Sequence, residues 1–175
     1  MDIYTQIFEL IDMRSFSNLW FWIMLAVFWS STSHWVLGVP WDMVTRARRA
    51  ADAQKLDDVD MLVRINTRRI TSIADQTGLL VAGFGCFVLT MLLLLGFVYK
   101  HEFSQALFLL GFPMSIVALI CVASSRRILN EDLQGEALYK LMHRHRMLTQ
   151  IIGVVSIFVT GLWGMFQNMN FSALH

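Results

Sequence analysis

The chain has 175 residues, of which 56% are apolar and 15% charged, and its formal net charge is +1. Soluble globular domains carry about 25% charged residues. This composition, with a mean hydropathy of +0.54, excludes a soluble enzyme domain, a disordered tail and a disulfide scaffold. A net charge so near zero gives no bulk attraction to nucleic acid.

Four stretches, 15–41, 76–99, 103–125 and 147–175, contain no Asp, Glu, Lys or Arg. Each exceeds the roughly 20 residues that cross about 30 Å of hydrocarbon. The fold class read from this pattern is all-α: a polytopic four-helix transmembrane bundle, forming one membrane domain, with helices extended into the cytoplasm.

Residues 2–13 place Ile3, Ile7 and Ile11 on one helical face and Thr5, Glu9 and Asp12 on the other, which predicts a short interfacial helix. The segment is acidic where a signal peptide is basic, and no small-residue cleavage site follows the first apolar run. The first span is therefore expected to stay as a helix. Ser15, Ser17 or Asn18 is placed to cap it. Span one covers about 18–39, with Trp20, Trp22, Trp35 and Trp41 where interfacial aromatic belts are expected. Pro40 suits the first turn of a new helix, where its missing N–H costs nothing. That helix carries Arg46, Arg48 and Arg49, and Asp57, Asp58 and Asp60 mark the next turn and helix start. No Pro or Gly interrupts between Asp57 and Gly78. One long helix is predicted to run from there into span two, about 77–99, with Asp60 and Arg64 paired at i, i+4.

Span three, about 104–125, holds Gly111 and Pro113, which predict a kink. It is expected to overshoot through Arg126 and Arg127. Asn130 to Gly135 reads as a turn, with Gly135 as its breaker. Glu136, Lys140 and Arg144 then form a charge ladder at i, i+4, i+8. Leu138, Leu141, Leu148 and Ile152 give the same helix an apolar side that continues into span four, about 149–168. The hairpins between spans are thus 40–76 and 126–148.

Of the 14 Lys and Arg residues, seven lie in the first hairpin and five in the second, and only Arg14 and Lys100 lie on the other side. The positive-inside rule puts both hairpins in the cytoplasm and both termini outside. Arg46, Arg48, Arg49, Arg68, Arg69, Arg126 and Arg127 sit just beyond the spans, where they would touch anionic headgroups or an acidic partner.

The most informative face is on span four. Gly153, Ser156, Thr160, Gly164 and Gln167 recur at i, i+3, i+7, i+11 and i+14, a continuous small or polar stripe. Such a stripe brings helices close or hydrogen-bonds across an interface, or lines a water-filled path. Gly78, Ala82 and Gly85, continued by Leu89, form a weaker packing stripe on span two. His34 is an intramembrane polar candidate in span one, and intramembrane ionisable residues are functional candidates by default. The plainer reading is a neutral His34 hydrogen-bonded near Ser30, Ser31 and Ser33. His143 and His145 point about 200° apart on a helix and cannot easily chelate one ion. With Arg144 and Arg146 alternating between them, they read as a solvated or headgroup-facing segment. Cys86 and Cys121 lie at unequal depth in apolar surroundings, which suits buried free thiols. The sequence contains no H-E-x-x-H, G-x-x-x-x-G-K-[ST] or G-x-S-x-G motif, and no cofactor is expected.

The run Phe-Glu-Leu-Ile-Asp-Met-Arg-Ser-Phe-Ser-Asn-Leu-Trp at 8–20, with Ser-His-Trp-Val-Leu-Gly-Val-Pro at 33–40, resembles a family of small alphaproteobacterial membrane proteins. That family is labelled as a component of the Suf iron–sulphur assembly complex, and the likeness extends along most of the chain. The resemblance implies a bacterial inner (plasma) membrane location, in which the outside termini given by the charge count are periplasmic, and an accessory role in iron–sulphur assembly. It brings no catalytic or binding residues. The residues themselves favour a non-enzymatic, oligomeric scaffold or accessory subunit that associates with itself and with other membrane subunits. The other reading they leave open is a small homo-oligomeric channel lined by the polar face of span four.

Overall fold

The computed structural model describes residue 16, residues 19–50 and residues 52–172. The interfacial helix expected at 2–13 lies outside them. The described residues form five α-helices and one two-strand hairpin. Three of the helices are long and apolar enough to cross a membrane.

Helix α1 (Leu19–His34) has 16 residues, about 24 Å at 1.5 Å per residue. It ends five residues before the boundary expected at Val39. Strands β1 (Trp35–Val36) and β2 (Val39–Pro40) then pair antiparallel, Val36 opposite Val39. The two turn residues, Leu37 and Gly38, have φ of 52° and 77°. Positive φ at both central positions is the geometry that matches the twist of a two-residue hairpin. Leucine in this region costs about 1–2 kcal/mol. Burial offsets it, because Leu37 is only 2% exposed and burying a leucine contributes about 1.5–3 kcal/mol. The Asn66 amide donates to the Gly38 carbonyl at 3.2 Å and ties the turn to the next long helix. Pro40 therefore stands in β2, and α2 (Trp41–Ala50) begins one residue later than expected.

Helix α3 (Ala53–Leu93) starts at Asp52, whose carboxylate accepts from the Gln54 backbone N–H at 3.1 Å. The same carboxylate takes a hydrogen bond from Lys55, which holds its pKa below the ordinary value. The helix continues through a π-helical turn, Leu94–Val98, so the predicted long helix is 46 residues from end to end. After a tight connection with Lys100 at φ 59°, α4 runs Glu102–Asn130 with Pro113 inside it. A short turn with Asp132 at φ 47° leads to Gly135 at φ 54° and to α5 (Gly135–Ser172).

The polar ends of these helices pack into a lobe. Val36, Leu37 and Val39 of the hairpin meet Trp41, Val44 and Ala47 of α2, Val59 and Val63 of α3, Ile128 of α4, and Leu138 and Met142 of α5 in one buried core. The pairings on its rim cross between helices. Asp60 caps the N-terminus of α5 by accepting from Gly135 N at 2.8 Å, and Arg64 bonds Asp132. The expected Asp60–Arg64 pair is thus replaced by two longer-range contacts. Glu136 takes Arg48 at 2.9 Å rather than starting a ladder with Lys140. A cross-helix pair fixes two elements relative to each other, whereas an i, i+4 pair only supports the helix it lies on. Away from the lobe, Leu25, Trp29 and Val117 form a second, smaller core, joined by Trp22, Leu110, Met114 and Ile152.

Candidate functional site

The stripe on α5 is placed between α5 and its own neighbours. An added Cβ on Gly153 would lie 2.8 Å from Trp29 Cε3, and one on Gly164 would lie 3.2 Å from Trp22 Cζ2. The two glycines are where α1 approaches α5. Ser156 donates to the Leu109 carbonyl of α4 at 3.4 Å. Thr160 is 1% exposed, and its hydroxyl has no hydrogen-bond partner among the described residues. Gln167 donates to Gln105 Oε1 at 2.9 Å.

Gln105 is the centre of a buried polar node that the sequence reading did not single out. It is 1% exposed. Its amide nitrogen donates to the Gly96 carbonyl at 2.8 Å, and its amide oxygen accepts from Trp163 Nε1 and from Gln167, both at 2.9 Å. Gly96 lies in the π-helical turn, and a Cβ there would be 2.9 Å from Gln105 N. A lone amide in an otherwise apolar span was the available signal.

The second constellation lies where the apolar spans give way to the lobe. His34 ends α1, and its Nε2 is 3.2 Å from Asp42 Oδ1, with its side chain 50% exposed. The same Asp42 accepts from Arg46 at 2.8 Å. A polar cavity of about 360 Å³ is lined by Ser30, Ser31, Ser33, His34, Trp35 and Arg146. The Arg146 guanidinium sits 4.9 Å from the centre of the Trp41 ring. Trp41 in turn stacks on Tyr139 at 5.6 Å, and Arg48 caps Tyr139 at 3.7 Å. This column, two stacked rings with a guanidinium at each end, joins α2 to α5.

The two histidines of α5 have different surroundings. His143 is exposed and stacks on Tyr139 at 6.1 Å. His145 is 5% exposed, with Nδ1 3.2 Å from Ser124 Oγ. Burial lowers its pKa below the ordinary 6.5 and favours the neutral ring. The solvated segment expected here is therefore solvated on one side only, because α5 turns His145 inward onto α4.

The arginines expected at headgroups or partners are all exposed. Arg126 pairs with Asp75 at 2.7 Å and Arg127 with Glu131 at 3.0 Å. Arg49, Arg68 and Arg69 make no ion pair among the described residues. Arg46 and Arg49, with Lys55, line a groove of about 680 Å³ between α2 and the start of α3. Both cysteines are free, Cys86 exposed on α3 and Cys121 half-buried against the lobe core. Among the described residues no three His, Cys, Asp or Glu side chains come together as a metal site. Compared with protein-family models, with curated proteins and with solved structures, the chain matches none.

Proposed function

We propose that this chain is a non-enzymatic, self-associating scaffold or accessory subunit of a bacterial inner-membrane complex. On this reading α3, α4 and α5 cross the bilayer, and α1 is a fourth, short crossing. The lobe lies in the cytoplasm and the termini in the periplasm. Arg49, Arg68 and Arg69 meet anionic headgroups, each contributing about 1 kcal/mol near the surface.

The observation that carries the proposal is the bare span of α3. No residue in its most apolar stretch is buried within the chain. Among the described residues, no atom beyond their own stretch of helix lies within 4 Å of where a Cβ on Gly78, Gly83 or Gly85 would sit, and Ala82 is exposed. A surface of small residues that the described residues leave uncovered is one on which helices pack closely in lipid. The α5 stripe is already occupied by α1 and α4, which speaks for packing rather than for a lined path.

Cys86 is exposed beside Gly85 and supplies the test. In native membranes of a Cys121→Ser background, oxidative cross-linking at Cys86 should yield a dimer. Gly85→Leu should abolish the cross-link without unfolding the chain, since the added side chain enters open space. A chain that stays monomeric in gentle detergent and forms no cross-link would end the self-association reading. Gentle co-purification then tests for other subunits, with an iron–sulphur assembly complex as the first to look for.

A further inference from the structure

We propose that the cavity at the foot of α1 is a binding site for a phosphate group, with Arg146 as its anion-binding residue. This inference does not depend on self-association. Arg146 is half-buried, and its Nε has no hydrogen-bond partner among the described residues. The guanidinium forms no ion pair among the described residues, although Arg46 and Arg48 of α2 are each matched by a carboxylate.

The side chain is held in place by a ring. Trp41 is 7% exposed, is fixed by its stack on Tyr139, and carries the guanidinium at cation–π distance. A guanidinium whose plane is set in advance loses less freedom when it forms two parallel hydrogen bonds to a phosphate. Ser30 and Ser31 line the same cavity, and their hydroxyls make no hydrogen bond among the described residues. Ser33 donates only to the Ser30 carbonyl, at 3.0 Å. The cavity therefore offers one uncompensated cation and a set of hydroxyl donors. Asp42, the closest carboxylate to His34, is already engaged by His34 and Arg46.

The simplest alternative is that Arg146 serves only the negative end of the α1 dipole. A side chain at a helix C-terminus commonly hydrogen-bonds the last carbonyls as well, and Arg146 forms no such bond among the described residues. The cavity lies at the level where span residues meet charged ones, so the phosphate comes from an anionic phospholipid or from a free phosphate.

The experiment uses the full chain in neutral detergent and reads bound mass by native mass spectrometry. It is titrated separately with dioleoyl phosphatidylglycerol, dioleoyl phosphatidylcholine and inorganic phosphate. The wild type should retain phosphatidylglycerol in preference to phosphatidylcholine. Arg146→Gln should weaken that binding about tenfold or more, as for loss of a charged hydrogen-bonding group. The double variant Ser30→Ala/Ser31→Ala should weaken it by a smaller factor. Lys140→Gln, an exposed cation on the same helix that does not line the cavity, should leave it unchanged. Arg146-dependent binding of inorganic phosphate without retention of phosphatidylglycerol would support the phosphate site and name the free anion as its source. Equal retention by the wild type and Arg146→Gln, or no binding of either phosphate source, would overturn the proposal. If Arg146→Gln does not fold, the serine variant decides, because those hydroxyls make no hydrogen bond among the described residues; unchanged affinity there is equally fatal.

Discussion

Gly153 and Gly161 lie on the same helix, two turns apart, and a methyl group distinguishes them. At Gly153 the added Cβ would be 2.8 Å from Trp29 Cε3 and 3.1 Å from Cδ2. Both are ring atoms of a side chain that is only 4% exposed and packed with Leu25 and Val117. The ring cannot swing away as a flexible chain end would. Gly153→Ala should destabilise the protein by about 1–3 kcal/mol, the usual cost of overpacking. At Gly161 the Cβ meets nothing within 4 Å. Gly161→Ala should be neutral or stabilising by up to about 1 kcal/mol, through helix propensity. Thermal unfolding of both variants in one detergent, followed by circular dichroism, checks the pair. Equal shifts would mean that Gly153 is not a contact point between α1 and α5.

The α3–α4 connection depends on one side chain in the same way that the hairpin depends on its turn. The π-helical turn departs from regular α-helical hydrogen bonding, and the Gly96 carbonyl is met by the Gln105 amide. Gln105→Leu keeps the volume roughly constant. It removes that donor and leaves Trp163 Nε1 and the Gln167 amide without their shared acceptor. The loss should be about 1–3 kcal/mol, larger than for Gln167→Leu, which removes one bond of the three. Unfolding in sodium dodecyl sulfate would rank the two, and the reverse order would remove Gln105 from the centre of the node. The long helices are legible in the sequence because they need only length, apolarity and the absence of breakers, and α3, α4 and α5 supply all three. The hairpin is less legible. Trp35 to Pro40 is apolar throughout, so hydropathy continues α1 to Val39. The opposing signal is local: Gly38 and Pro40, with β-branched Val36 and Val39 around them. The site residues divide similarly. Spacing identifies the α5 stripe, but only tertiary contacts show that Gln105 completes it or that Arg146 stacks on Trp41.

At the scale of the whole molecule, α3, α4 and α5 pass without a break from the apolar spans into the lobe, so the two regions are mechanically one. His145 sits near that junction, facing α4 through Ser124. Its pKa is lowered by burial, whereas in the unfolded chain it takes a proton near the ordinary histidine value of about 6.5. Below that value the unfolded chain holds the extra proton, and stability rises with pH wherever the unfolded state binds more protons. The stabilisation associated with neutral, buried His145 is therefore complete above about pH 6.5. It is lost as pH falls from there towards the folded pKa, and levels off once the folded state is protonated too. Every other histidine is retained in a His145→Gln variant, so the difference between wild type and variant isolates His145. Melting temperatures from pH 8 down to 5 should fall more steeply in the wild type than in His145→Gln, with the curves diverging only below about 6.5. Parallel curves would mean that the ring is hydrated in the folded protein and that α4 and α5 do not close over it. If the curves do diverge, mild acid loosens the lobe and the spans together, because the same two helices build both.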